Sequence, residues 1–266
     1  MNLSTWANIL GIQENLLYIL GEGDNSVVLT DGSGVVFKFP KSQVALRRLK
    51  AEIKITDYIS KRLSVSVPEY KSTSLDGPIG EAYCTYNLIK GVPLSKEIYA
   101  LHRQKQSKQL MSLLDEIHAI SPLDVMYENK TNFEDMYNEI QTLLYPLIED
   151  EAKRDIDLHF KTYLCGAQIH DNCAIHGDLG ASNILCNPES GDITGIIDWA
   201  EASVDDMAID YASLTCAVSI PLCKEDFLML RPSLHSLFQR VNFIQYTFPL
   251  QAALHDIKTG KEAKHV

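Results

Sequence analysis

Short apolar runs separated by turn residues fill the first third of the chain, the pattern of half-buried strands. Leu16–Leu20, Ser26–Thr30 and Val35–Phe39 are three such runs. Asp31-Gly32-Ser33-Gly34 joins the last two as a hairpin, because glycine accepts the backbone angles of tight turns. Pro40 closes the third run. Over 42–61 the period changes to that of a helix, with Ala45, Leu49, Ile55 and Ile59 on one side. Pro68–Ser74 and Ala82–Ile89 read as further strands, and Gly91-Val92-Pro93 interrupts the pattern.

Beyond that break the chain reads as mainly helical. Leu94–Ile120 carries a stripe of Leu110, Leu113, Leu114 and Ile117; Phe133–Ile148 and Asp155–His170 follow, and helices resume from Met207 to His255. Ala174–Asp198 differs: Ile184–Asn187 and Ile193–Asp198 read as two strands joined by Pro188-Glu189-Ser190-Gly191. The pattern predicts an α+β chain with a small β-rich lobe over 1–90 and a larger, mainly helical lobe over 91–266.

Composition narrows the class. The 266 residues suffice for two modest lobes with their own cores. The net charge of −11 opposes general nucleic-acid binding, which needs basic stripes. Residues 1–90 hold 10 Lys/Arg against 9 Asp/Glu, and 91–266 hold 14 against 26. An acidic solvated surface explains this as well as a site for a cationic partner does. None of the six cysteines forms a C-x-x-C pair, and several lie in apolar runs, as reduced thiols do. Cys173 and His176 lack the second pair that a zinc site needs. The first 20 residues lack a basic start and a cleavage signal, and no apolar run spans a membrane, so a cytoplasmic chain is expected.

Four constellations carry chemistry. In His176-Gly177-Asp178-Leu179-Gly180-Ala181-Ser182-Asn183, an Asp precedes an Asn by five residues just before an apolar run. That spacing puts a base and a metal-facing amide into one cleft, as kinase catalytic loops do; a polar turn capped by its own side chains is the plain alternative. Gly195-Ile196-Ile197-Asp198-Trp199 then sets a carboxylate at the end of a buried strand, suited to Mg²⁺ beside phosphates. Lys38 sits between Phe37 and Phe39, and Glu52 lies fourteen residues on, on the helix face of Leu49, Thr56 and Ile59. A carboxylate on a buried face needs a partner, and Lys38 is the candidate. Gly21 and Gly23, with Ser26 nearby, permit a turn whose N–H groups face phosphate oxygens.

Taken together, Gly21-Glu22-Gly23-Asp24-Asn25, Phe37-Lys38-Phe39-Pro40-Lys41, Glu52, Ile89-Lys90-Gly91-Val92-Pro93-Leu94, His176-Gly177-Asp178, Asn183 and Ile197-Asp198-Trp199 resemble the aminoglycoside and macrolide phosphotransferases of the protein-kinase-like superfamily. The Gly-Glu-Gly and Phe-Lys-Phe-Pro-Lys runs are most similar to the aminoglycoside 2''-phosphotransferases, and the run after Ile197 is also similar to the macrolide kinases. The resemblance implies a two-lobed protein-kinase-like fold, with Mg²⁺ as cofactor and GTP or ATP as phosphoryl donor. It implies Asp178 as base, Asn183 and Asp198 as metal ligands, and Lys38, positioned by Glu52, on the α- and β-phosphates. Asn87, Leu88 and Ile89 become the purine-binding hinge, with Tyr86 as a bulky neighbour that biases toward GTP. Asp206 and Asp210 become supports of the catalytic loop. Glu201, three residues after Asp198, and the nearby Asp205 become contacts for a cationic acceptor. An aminoglycoside hydroxyl is the expected acceptor; a macrolide, choline-like amino alcohol or homoserine, or a non-catalytic nucleotide-binding module, are the alternatives.

Overall fold

A computed structural model describes residues 2–23, 25–122, 126, 131–166 and 172–260. Asp24 and the end of the helix expected over Asp155–His170 lie outside the described residues.

A five-stranded antiparallel sheet dominates the first part, in the order β1-β2-β3-β5-β4. Its strands are β1 (Tyr18–Glu22), β2 (Ser26–Thr30), β3 (Val35–Pro40), β4 (Tyr70–Ser74) and β5 (Tyr83–Asn87). The first strand starts two residues later than its apolar run suggests, because Glu14–Leu16 winds into a 3-10 turn. Helix α2 (Gln43–Ile59) starts at Ser42, whose side chain accepts from the Ala45 N–H, and buries Ala45, Leu49, Glu52, Ile55, Thr56 and Ile59. The pattern did not announce helix α1 (Leu3–Leu10), which runs from an Asn2 cap to Gly11 in the left-handed conformation. It buries Trp6 and Ala7 with Leu17, Val27, Leu29, Phe37 and Phe39 in a small core.

The larger core lies in the helical part. The run 94–120 folds as two helices, α3 (Lys96–Leu101) and α4 (Arg103–His118), with Leu110, Leu113, Leu114 and Ile117 buried. After α5 (Phe133–Glu139) the chain loosens into a π turn and then a 3-10 turn at Pro146, which has no N–H to extend a ladder. Helix α6 (Asp150–Cys165) begins five residues before the expected Asp155, with Asp150 and Glu151 complementing its N-terminal dipole. Helices α7 (Ala208–Thr215), α8 (Cys223–Leu230) and α9 (His235–Lys258) complete this part. No described helix is long and apolar enough to cross a membrane.

Two small sheets carry the loops between them. β6 (Val92–Pro93), β8 (Ile184–Cys186) and β9 (Ile193–Ile196) form one, and β7 (Asn172–Ile175) pairs with β10 (Ser203–Asp206) in the other. The β8–β9 hairpin was legible in sequence; the β7–β10 ribbon was not. Ser66, after α2, clamps onto β9 through its N–H to Thr194 O (3.1 Å) and its carbonyl from Ile196 N–H (2.9 Å). A Cβ at Gly195 would lie 2.9 Å from that Ser66 carbonyl, so only glycine lets the segments touch.

Candidate active site

Strand β3 and helix α2 deliver Lys38 and Glu52 to one buried point. Lys38 Nζ donates to Glu52 Oε2 at 2.8 Å and Oε1 at 3.1 Å. It also donates to Asp198 Oδ1 at 3.0 Å. Glu52 is wholly buried, and the Tyr70 hydroxyl donates to its Oε1 at 2.8 Å. Burial works against the Lys38 charge, but Glu52 and Asp198 outweigh it and hold the ammonium pKa above its usual value. Tyr86 packs edge-on to Tyr70 at 5.3 Å between ring centroids, and burial raises its pKa.

The β8–β9 hairpin aligns the second half. Ile197 N–H donates to Asn183 O at 2.9 Å, which sets Asp198 beside Asn183. Asp198 has φ 63°, the only positive φ outside glycine among the described residues. Such a left-handed Asp is costly and is retained where position matters. Asn183 Nδ2 donates to Asp178 O (2.8 Å) and Asp178 Oδ2 (3.1 Å). The side-chain oxygen of Asn183, Oδ1, accepts none of the hydrogen bonds found among the described residues. That oxygen and the half-exposed Asp198 carboxylate are hard donors, a pair that fits Mg²⁺ completed by phosphate and water.

Asp178 is exposed at its loop, yet protein crowds round it. Burial pushes its carboxyl above the usual range, and the charges of Asp198 and Asp210 add to the shift. The loop that carries it is tied from below. Asp210 accepts from His176 N–H (3.0 Å), Gly177 N–H (2.9 Å) and His118 Nε2 (3.1 Å). Burial opposes the Asp210 charge, but the bond from His118 and the two nearby histidines hold its carboxyl below the usual range. Asp178 N–H donates to His176 Nδ1 (3.2 Å), so the ring's other nitrogen carries the proton toward Ile197 O (3.1 Å). Gly177 has φ 82°, and a Cβ there would fall 2.3 Å from the Glu201 carbonyl oxygen.

Of the acidic pair expected to support this loop, Asp210 makes these contacts with it. Asp206 grips α9 through Arg240 Nε at 2.7 Å and caps α7 at the Ala208 N–H. Asp205 needs a fuller correction. It was expected beside Glu201 as a contact for a cationic acceptor, but it is buried on β10 and accepts from the Thr131 N–H and hydroxyl, both at 2.9 Å. Its carboxylate holds two segments together and is not open to a solvated ammonium. Glu201 does lie near Asp178 and Asp198, which with burial raise its carboxyl pKa, but it pairs with Arg48 from α2.

At the expected hinge, Leu88 N–H donates to Gly34 O at 2.8 Å and continues the β3–β5 ladder. Asn87 and Leu88 are exposed there and Ile89 is half-buried. At the other side of the cleft, Gly23 N–H is used by Ser26 O (3.0 Å), closing the β1–β2 hairpin. A Cβ at Gly21 or Gly23 would meet nothing within 4 Å, so their backbone is open to close approach. Sequence reasoning missed Arg48, Tyr70 and His118. Arg48 alone left a trace, one helical turn before Glu52 and hence on the same face of α2.

The family model described as "Phosphotransferase enzyme family" matches residues 16–231. Viomycin phosphotransferase of Streptomyces vinaceus is 23% identical over 189 residues, covering 68% of this chain and 66% of its own length, just under two thirds. The APH(2'')-IIIa complex with GDP and kanamycin superposes with TM-score 0.83 at 21% identity, covering 92% of this chain and 87% of the other. A macrolide 2'-phosphotransferase of Brachybacterium faecium gives 0.74 at 18% identity, with 97% and 93% covered. The fold is thus that of these kinases. With the match running from the first strand past the whole Asp178–Asp210 machinery, the chain belongs to the phosphotransferase enzyme family.

Proposed function

We propose that this chain transfers the γ-phosphoryl group of GTP or ATP to a hydroxyl of an antibiotic-type small molecule. The observation that carries this reading is the joining of Lys38, Glu52 and Asp198 at one point, next to Asp178 and Asn183. Residues 1–90 form the nucleotide-binding lobe, with Gly21, Gly23 and Ser26 over the phosphates and Asn87–Ile89 along the purine. Residues 91–266 provide the base and the acceptor surface. The names of relatives put forward aminoglycoside, macrolide and viomycin-type acceptors.

Lys38 meets the α- and β-phosphates, and Glu52 with Tyr70 keeps its ammonium aimed. Asp198 and Asn183 would hold Mg²⁺, which would supply charge neutralisation at the phosphates. Asp178 orients the acceptor hydroxyl and takes its proton. The new phosphorus–oxygen bond forms as the bond to the β-phosphate breaks, and nucleoside diphosphate leaves. Positioning and charge neutralisation supply most of the acceleration.

The test is a nucleotide-consumption screen with aminoglycosides, macrolides, viomycin, choline and homoserine, each with ATP and GTP. Acceptor-dependent turnover that Asp178→Ala abolishes supports the reading. Equal consumption by wild type and Asp178→Ala with every acceptor overturns it and leaves a nucleotide-binding module.

A further inference from the structure

Several carboxylates of residues 91–266 that lie near the catalytic loop or under it already have partners within the fold. Asp226 takes bonds from Tyr99 (2.6 Å) and Arg103 (2.9 Å). Asp206 is held by Arg240, Asp210 by His118, Asp205 by Thr131 and Glu201 by Arg48. These carboxylates are already compensated, and an incoming ammonium would have to displace a partner.

A cavity of about 450 Å³ opens beside Asp178, between the catalytic loop, the end of α7 with the turn after it, and α9. Ser182, Ser213, Cys216, Val218, Phe248 and Gln251 line it, and Asp178 is the only carboxylate among its described lining residues. One wall is fixed to the loop, because the buried Ser219 hydroxyl accepts from the Ala181 N–H at 2.9 Å. Beyond Gln251 lies a second cavity of about 520 Å³ that contains Asp135 and Glu139, but Glu139 is paired with Lys258 at 2.7 Å. Hydroxyl and amide groups match hydroxyls and carbonyls on a ligand. Phe248 and Val218 offer apolar surface, which rewards burial of an apolar face. Several ammonium groups would lose water there and share one lining carboxylate, Asp178.

We propose that the acceptor pocket selects a hydroxyl-bearing molecule with an apolar face and no more than one ammonium group, in preference to a polycation. This rests on the kinase reading above and names the substrate class of the same site.

The experiment compares kanamycin, a polycation, with a macrolide bearing one amino sugar. Binding to the full chain is measured by calorimetry with bound nucleoside diphosphate, and turnover with the triphosphate. We expect the macrolide to bind at least about tenfold more tightly, with affinity changing less than about twofold between about 50 and 300 mM salt. Gln251→Glu, an exposed change, should improve kanamycin binding severalfold and make it salt-sensitive. Phe248→Ala should weaken macrolide binding by about tenfold and leave nucleotide binding unchanged. Tighter, salt-sensitive kanamycin binding to the wild type overturns the inference, as does failure of both molecules to bind. Macrolide binding without phosphoryl transfer to any acceptor overturns the kinase reading instead.

Discussion

Lys38 and Asp198 are 160 residues apart in sequence and 3.0 Å apart in the fold. The same ammonium reaches Glu52, so one cation ties the sheet, helix α2 and the β9 loop together. Lys38→Met leaves Glu52 buried without its cation, which costs about 3–5 kcal/mol when a buried pair is broken. We expect the melting temperature to fall by about 5–10 °C. Adding Glu52→Gln should recover most of that loss without restoring turnover. An unchanged melting temperature in the single variant contradicts the buried linkage.

Asp178 and Asp198 should separate by readout. Asp178→Ala is expected to lower kcat by about 10³-fold while nucleotide affinity stays within about twofold, since a base acts on the acceptor and not the purine. Asp198→Ala and Asp198→Asn should both weaken the Mg²⁺-dependent part of nucleotide binding. Asn tolerates the left-handed backbone at φ 63°, so Asp198→Ala should be less stable than Asp198→Asn by about 1 kcal/mol. Calorimetry with and without Mg²⁺, plus denaturant titration, checks both points; a metal contribution that survives either substitution takes Asp198 out of the metal site.

Tyr86 lies on β5 just before Asn87, with its ring against Tyr70, close enough to Lys38 and Glu52 for their charges to act on its hydroxyl. With the purine along Asn87–Ile89, as proposed, a smaller residue there would deepen its pocket and alter which backbone groups the base meets. We expect Tyr86→Ala to raise the ratio of kcat/KM for ATP over GTP, while Tyr86→Phe keeps it. If Tyr86→Ala folds and the ratio stays fixed, the ring serves packing alone.

Local spacing made some of this legible and distance concealed the rest. Asp178 and Asn183 share one loop, and Asp198 follows across one hairpin, so contiguous sequence reports their geometry. Lys38 and Glu52 were paired by helix periodicity and the cost of burying a lone carboxylate. Asp205 was misplaced because its partner Thr131 is 74 residues away, and no periodic pattern marks the four-residue ribbon of β7 and β10. Net charge is silent for a related reason: a count of carboxylates does not say which of them the fold consumes.

Acid stability should report one such consumed carboxylate. The hydroxyls of Tyr137 and Tyr145 and the Lys161 ammonium donate to Asp157, and those bonds bring its pKa from an ordinary 3.8 down to about 2. A folded-state pKa below the unfolded one gives stability that is full above about pH 4 and lost as pH falls through about 2. The site is partly solvated, so the effect at neutral pH is about 1 kcal/mol. We expect Asp157→Asn to be less stable than wild type by that amount at pH 7 in urea, with the gap closing toward pH 2. A gap that stays constant with pH would show that shape, not charge, matters there.

Arg48 and Glu201 reach each other from α2 and from the loop after Asp198. Both side chains are about 40% exposed, at 41% and 38%, so their pairing contributes no more than about 1 kcal/mol. Its consequence lies in what it withholds: with Arg48 in place, Glu201 is not a free carboxylate for an acceptor. Glu201→Gln alone should therefore change acceptor KM by less than about twofold. Arg48→Ala should release the carboxylate, lower KM for a cationic acceptor severalfold and introduce salt sensitivity, and adding Glu201→Gln should cancel both effects. Nucleotide affinity should stay level throughout, because neither side chain is placed on the phosphates. A tenfold rise in KM for a cationic acceptor on Glu201→Gln, in a chain that still carries Arg48, would show that Glu201 meets the acceptor directly and that the ion pair opens when it binds.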